Sequence, residues 1–255
     1  MSKIGCVLEL MVGMLWLGEQ KEEEGPQKDQ LEELIKLGFS NYQTGQDAQA
    51  IKYFKQALSI RERADIYNNI GVIQINKGEY GKAVNSFKKA LNLNISYIPA
   101  FYNLGLTMYY ARAYDNAIDI FGDLVKAKGL MPKMLVSAHN DLGCAYKRKG
   151  KVENAIQHFE MAITLDKSFD RPYVNLGNIY CEQGKWDEAK EKYEKALSVN
   201  PNCAAAINGL GVLAFEKGDF DQAKTLFDKA FVLDKQCQAA YINKMIVEKK
   251  LKEIG

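Results

Sequence analysis

Apolar and polar positions alternate along this chain with a helical period, and the helices themselves recur. In residues 64–95, Tyr67, Ile70, Gly71 and Gln74 share one predicted helix. Gly78 ends that helix, as glycine does after a last turn. A second helix is predicted from about Tyr80 to Leu93, with Ala83, Val84, Phe87, Ala90 and Leu91 forming one stripe. The whole pattern then repeats. Gly38, Gly71, Gly105, Gly143, Gly177 and Gly211 follow one another at steps of 33, 34, 38, 34 and 34 residues. Leu or Ile precedes each glycine, an alanine lies twelve residues beyond it, and an aromatic residue lies four further: Phe54, Phe87, Phe121, Phe159, Tyr193 and Phe227. Self-similarity at this period predicts stacked helix pairs rather than one globular core. A glycine inside a helix costs about 1 kcal/mol against alanine, so its recurrence implies a packing need. Gly71 and Ala83 let two helix backbones approach, and Phe87 fills the space left.

Tyr173, Leu176, Gly177 and Tyr180, followed by Ala189, Tyr193, Ala196 and Pro201, carry the fullest version of the motif. Phe101, Leu104 and Gly105 carry it again. The pattern resembles the tetratricopeptide repeat family. Six units match, over 31–63, 64–97, 98–131, 136–169, 170–203 and 204–237. The resemblance implies an all-α, right-handed superhelical solenoid of six helix-turn-helix units. Residues 238–255 are expected to add a capping helix: Lys244 and Met245 stand where Leu-Gly would be, and EKKLKEI is strongly charged. This helix is read as a polar shield for the last repeat. The third unit departs from the pattern. Leu124 replaces the second-helix alanine, Arg112 replaces the glycine that ends the first helix, and four extra residues follow within 126–135, read as a longer surface loop.

The N-terminus lies outside the array. Residues 1–18 are read as an apolar helix, and Ile4 to Leu17 carry a single charge, Glu9. That stretch is too short for a secure membrane span, and it fits a signal peptide poorly. Residues 19–30 (EQKEEEGPQKDQ) read as a solvated linker. The segment has three readings: it docks on the array of its own or a second copy, it contacts a membrane, or it is a disordered tail.

A net charge of +2 gives no reason to expect nucleic acid as a partner. Five scattered cysteines do not make a disulfide framework, which favours a reducing, cytoplasmic setting. Cys203 and Cys237 lie one period apart and read as two free thiols. Residues 209–214 spell G-x-G-x-x-A, but they fall inside a predicted helix, where no phosphate-binding turn can form. His139 occupies the large-residue position of its repeat and reads as packing; His158 reads as solvent-facing. No pattern converges a nucleophile, base and orienting group, and none has metal-ligand spacing. The chain is therefore expected to be no enzyme and to hold neither cofactor nor metal.

The family's first helices line the surface on which partners dock. The resemblance implies partner-binding roles for Phe39, Tyr42, Tyr102, Leu106, Tyr109, Lys147, Arg148, Arg171, Asn178 and Phe215. It reads as an aromatic and aliphatic trough in the first three repeats with a basic end in the next two. Chaperone-tail-binding members of the family place a lysine where this chain has Ile35, Asn68, Tyr102, Asn140, Val174 and Asn208, so that activity is disfavoured. The expected function is a non-catalytic scaffold that binds a peptide segment or another copy of itself. The alternative is a membrane-associated assembly factor anchored by residues 4–17.

Overall fold

A computed structural model describes residues 26–235 and 238–254. The described residues form thirteen α-helices and no strand. The chain divides into two compact units, one ending at Leu124 and the other beginning at Val125.

The first unit is a short solenoid of three helical hairpins: α1 (Pro26–Gln43) with α2 (Asp47–Ile60), α3 (Ala64–Asn76) with α4 (Tyr80–Leu93), and α5 (Ile98–Tyr110) with α6 (Tyr114–Leu124). The second unit contains α7 (Pro132–Arg148) with α8 (Val152–Leu165), α9 (Asp170–Glu182) with α10 (Trp186–Val199), and α11 (Ala204–Glu216) with α12 (Phe220–Leu233), followed by the single helix α13 (Gln238–Ile254). The apolar helix expected over 1–18, and Cys6 and Cys237, lie outside the described residues. Residues 26–30 of the expected linker over 19–30 are helical, and the rest of it lies outside the described residues. Helix α1 already begins at Pro26, whose fixed φ suits a first helical turn.

Each hairpin closes on the contact that its repeating glycine requires. A Cβ added at Gly38, Gly71, Gly105, Gly143, Gly177 or Gly211 would fall 2.5–2.7 Å from the aromatic ring sixteen residues on. Those rings are all buried, at 0–2% exposure, so no side chain fits between helix and ring. The downstream alanines, Ala50, Ala83, Ala117, Ala155, Ala189 and Ala223, are 0% exposed for the same reason. Gly209 is explained likewise. A Cβ there would collide with the Tyr193 ring, and the residue lies mid-helix in α11.

Five of the six hairpin turns place a glycine in the left-handed region, at φ 71–83°. In the third hairpin Arg112 takes this conformation at φ 62°. The same hairpin places its four extra residues differently from the sequence expectation. Helix α7 starts eleven residues before Gly143, whereas α9 and α11 start seven before theirs, so the insertion forms an added helical turn. The long connection over 125–131 arises instead because α6 stops at Leu124, at the position where five other second helices carry a fully buried alanine and continue for three residues. A leucine is too large for that close approach.

Helix α13 takes the place of a seventh first helix. Ala240 and Val247 are fully buried against α11 and α12. Its outer side corrects the expectation of a polar shield. Tyr241, Ile242, Met245 and Ile246 form a stripe that stays about half exposed.

Candidate functional site

The first helices of each unit pack side by side, and their residues split into two groups: those that join neighbouring repeats and those that remain on the surface. Buried amides make the first kind of joint. Asn103 Nδ2 donates to Asn68 Oδ1 at 2.9 Å, joining α5 to α3. Asn175 Nδ2 donates to Asn140 Oδ1 at 2.9 Å, joining α9 to α7. Asn243 Nδ2 donates to Asn208 Oδ1 at 3.0 Å, joining α13 to α11. Asn68, Asn103 and Asn140 are 2–6% exposed, so each amide satisfies a partner that water cannot reach. The sequence reading had placed Asn68, Asn140 and Asn208 at ligand-facing positions; the structure makes them couplers. Their signal was present in the sequence, since 68 and 103, 140 and 175, and 208 and 243 are each 35 residues apart.

A second kind of joint uses residues near the C-terminal ends of the first helices. Asn76 Nδ2 donates to the Tyr42 hydroxyl at 2.8 Å. Lys147 Nζ donates to Glu182 Oε1 at 2.8 Å. Both pairs link adjacent hairpins, so Tyr42 and Lys147 serve the stack as well as the surface.

Four expected site residues of the first unit sit at different depths. Tyr102 and Leu106 are buried, at 4% and 6% exposure, and Tyr102 meets the Phe121 ring edge-on at 5.7 Å. Both belong to the core of the first unit and keep little surface for a partner. Phe39 is half-buried and edge-on to Phe54 at 5.4 Å. Tyr109 is half-buried and packs between Tyr110 at 5.6 Å and Tyr114 at 5.8 Å. Tyr109 and Tyr110 of α5 and Tyr114 of α6 thus form one aromatic cluster.

In the second unit, Lys147, Arg148 and Arg171 each lower the Cys144 thiol while Asp141 raises it, and Lys147 is also paired with Glu182 at 2.8 Å. Burial pushes the Cys144 thiol up to about 12, with Asp141 adding to it, and Asn175 Nδ2 reaches its Sγ at 3.5 Å. A thiol held that high carries little thiolate at neutral pH. The Arg171 guanidinium lies over the Phe169 ring at 5.8 Å. Asn178 accepts a hydrogen bond from the Tyr193 hydroxyl at 2.8 Å. Phe215 is half-buried and edge-on to Phe220 at 5.2 Å. His158 is also placed differently from expectation. It is half-buried and turned inward to His139, with Nδ1 atoms 3.1 Å apart.

Among the described residues no group of three His, Cys, Asp or Glu side chains could hold a metal ion, and no helix is long and apolar enough to cross a membrane.

Residues 34–64, 99–127, 136–169 and 170–236 match the family described as tetratricopeptide repeat, and residues 74–110 match the one described as TPR repeat. No curated protein matches the sequence. Among solved structures, a tetratricopeptide repeat protein from Parabacteroides merdae aligns with a TM-score of 0.73 at 20% identity, over 86% of this chain and 84% of its own. The structure of Pseudomonas aeruginosa pilF aligns at 0.68 and 18% identity, over 89% of this chain and 100% of its own. Yeast Tom70 aligns at 0.64 and 20% identity, over 80% of this chain and 43% of its own. At these identities the likeness is one of fold.

Proposed function

We propose, on the premise that the chain belongs to the tetratricopeptide repeat family, that it is a non-catalytic scaffold gripping a peptide segment along the faces of its first helices. The observation that carries the reading is the set of aromatic side chains left half-buried at the C-terminal ends of those helices, Tyr109 and Tyr110 in the first unit and Phe215 in the second. Rings in that state offer apolar area with little rotamer freedom left to lose on binding. In the second unit Arg148 and Arg171 add cationic groups that suit an acidic residue on the peptide. Tyr42, Lys147 and the paired asparagines join neighbouring hairpins and support the shape of these faces.

A peptide selected from a displayed random library on the full chain, then measured by calorimetry, tests the reading. A peptide that docks on the first unit is expected to weaken at least tenfold, about 1.4 kcal/mol, with Tyr109→Ala, and one that docks on the second unit to weaken as much with Phe215→Ala. Alanine at both Arg148 and Arg171 is expected to flatten its salt dependence. A peptide whose affinity and salt dependence ignore all four substitutions would place binding on another face.

A further inference from the structure

The chain contains only two histidines, and the fold brings them into contact. His139 lies on α7 and His158 on α8, so the pair closes the hairpin between them. Their Nδ1 atoms are 3.1 Å apart and their rings stack at 5.3 Å. Tyr146 of α7 stacks on His158 at 5.4 Å, with the rings nearly parallel at 5°. His139 is 7% exposed. The other hairpins fill the first-helix position with Leu34, Tyr67, Phe101, Tyr173 and Ile207, and none of them titrates in mildly acidic solution.

We infer that His139 and His158 form a proton-sharing pair that makes the α7–α8 hairpin a specifically acid-sensitive element of the second unit. Two imidazoles with facing Nδ1 atoms can hold a hydrogen bond only if one Nδ1 carries a proton and the other is bare. One added proton leaves that bond intact and makes it charge-assisted. A second proton puts N–H against N–H and places two positive rings together, so the contact must open. The charged groups on the packed elements are Lys133, Asp141, Lys147 and Arg148 of α7, Glu153 and Glu160 of α8, and Asp170, Arg171 and Glu182 of α9. None of them is among the causes that shift either imidazole, which are burial and, at His139, the neighbouring His158. Burial holds both imidazoles below the ordinary histidine value, and His139 is lowered further by His158. With folded values depressed, the stability is present above the unfolded value of about 6.5 and is lost as pH falls through and below it.

Native-state amide exchange from pH 7.5 to 5.0, corrected for intrinsic rates, reads the effect hairpin by hairpin. Below about pH 6 the opening of α7–α8 is expected to rise up to tenfold per pH unit, the slope of one excluded proton, while α9–α10 stays flat over the upper part of that range. His139→Phe with His158→Ile, which copies Phe101 and Ile120 of the third hairpin, is expected to abolish the difference. Nitrogen-15 NMR of the unaltered chain gives an independent readout, with one Nδ1 protonated and one bare at neutral pH and titration in two separated steps. Two imidazoles titrating together near 6.5, or an α7–α8 response identical to that of α9–α10, would overturn the pair.

Discussion

Replacing Gly177 by alanine tests the contact on which every hairpin is built. The new Cβ would lie 2.6 Å from Tyr193 Cε1, which is 0.8 Å short of the 3.4 Å where ordinary contact begins. The ring has little room to yield, because Gly209 of the next hairpin also sits against it and its hydroxyl is tied to Asn178 at 2.8 Å. Overpacking of this kind costs about 1–3 kcal/mol. Losing the tyrosine hydrogen bond would add about 1 kcal/mol, and the better helix propensity of alanine returns about the same. The net expectation is a loss of about 1–3 kcal/mol, with a larger loss for Gly177→Leu. Gly122→Ala is the control, since an added Cβ there meets nothing within 4 Å and only the propensity gain, up to about 1 kcal/mol, remains. A repeat array does not unfold as a single two-state body, so a local probe is needed. Trp186 opens α10, and its fluorescence in a Trp16→Phe background, together with amide exchange of α9–α10, supplies one. The reasoning fails if Gly177→Ala leaves these readouts unchanged, or if Gly122→Ala destabilises its own hairpin as much.

Three further outcomes are expected. Arg112→Gly relieves a left-handed arginine at a cost of about 1–2 kcal/mol and returns part of it as chain entropy, so the first unit is expected to gain about 0.5–1 kcal/mol in urea titrations followed by exchange in α5–α6. Asn103→Ala strands the buried Asn68 amide and is expected to cost about 1–3 kcal/mol, whereas a paired exchange of both for leucine costs less; equal losses in the two variants would remove the amide argument. Cys144, with its thiol held near 12 by burial, and Cys203, held near 11, are expected to resist iodoacetamide at pH 8.5 in the folded chain. Peptide mapping that finds either labelled as fast as a free cysteine would contradict the packing described.

Contacts internal to a hairpin were legible in the sequence because they recur unchanged. The helix pair α3 and α4, its turn at Gly78, and the role of Phe87 all follow from residues 64–95 alone. The burial of Tyr102 and Leu106 was not legible. Their positions face ligand in the family, and only the neighbouring Phe121 ring and the third hairpin's own packing decide that they are covered. His158 was misread for a related reason. It precedes the conserved-spacing aromatic Phe159 on a polar stretch, and nothing but the placement of His139 turns it inward. The polar reading of α13 rests on EKKLKEI, and it does not account for the helically spaced Tyr241, Ile242, Met245 and Ile246 staying about half exposed.

The joints between hairpins vary where the hairpins do not, and this bears on where a partner can be gripped. At the α3–α5, α7–α9 and α11–α13 junctions an asparagine pair bridges the first helices. At the α1–α3 and α9–α11 junctions the same two positions hold Ile35 with Asn69 and Val174 with Gly209, and no amide pair can form. Coupling between neighbours is thus specified junction by junction on the face that a ligand would approach. A substitution at Asn140, Tyr42 or Lys147 then changes repeat coupling and any contact with a partner together. Weakened binding in such a variant would not locate a site. Tyr109, Arg148 and Phe215 lie outside the asparagine, Tyr42–Asn76 and Lys147–Glu182 joints. Tyr109 and Phe215 still pack within their own hairpins, so a loss of binding there is assigned to the partner only where amide exchange of that hairpin is unchanged.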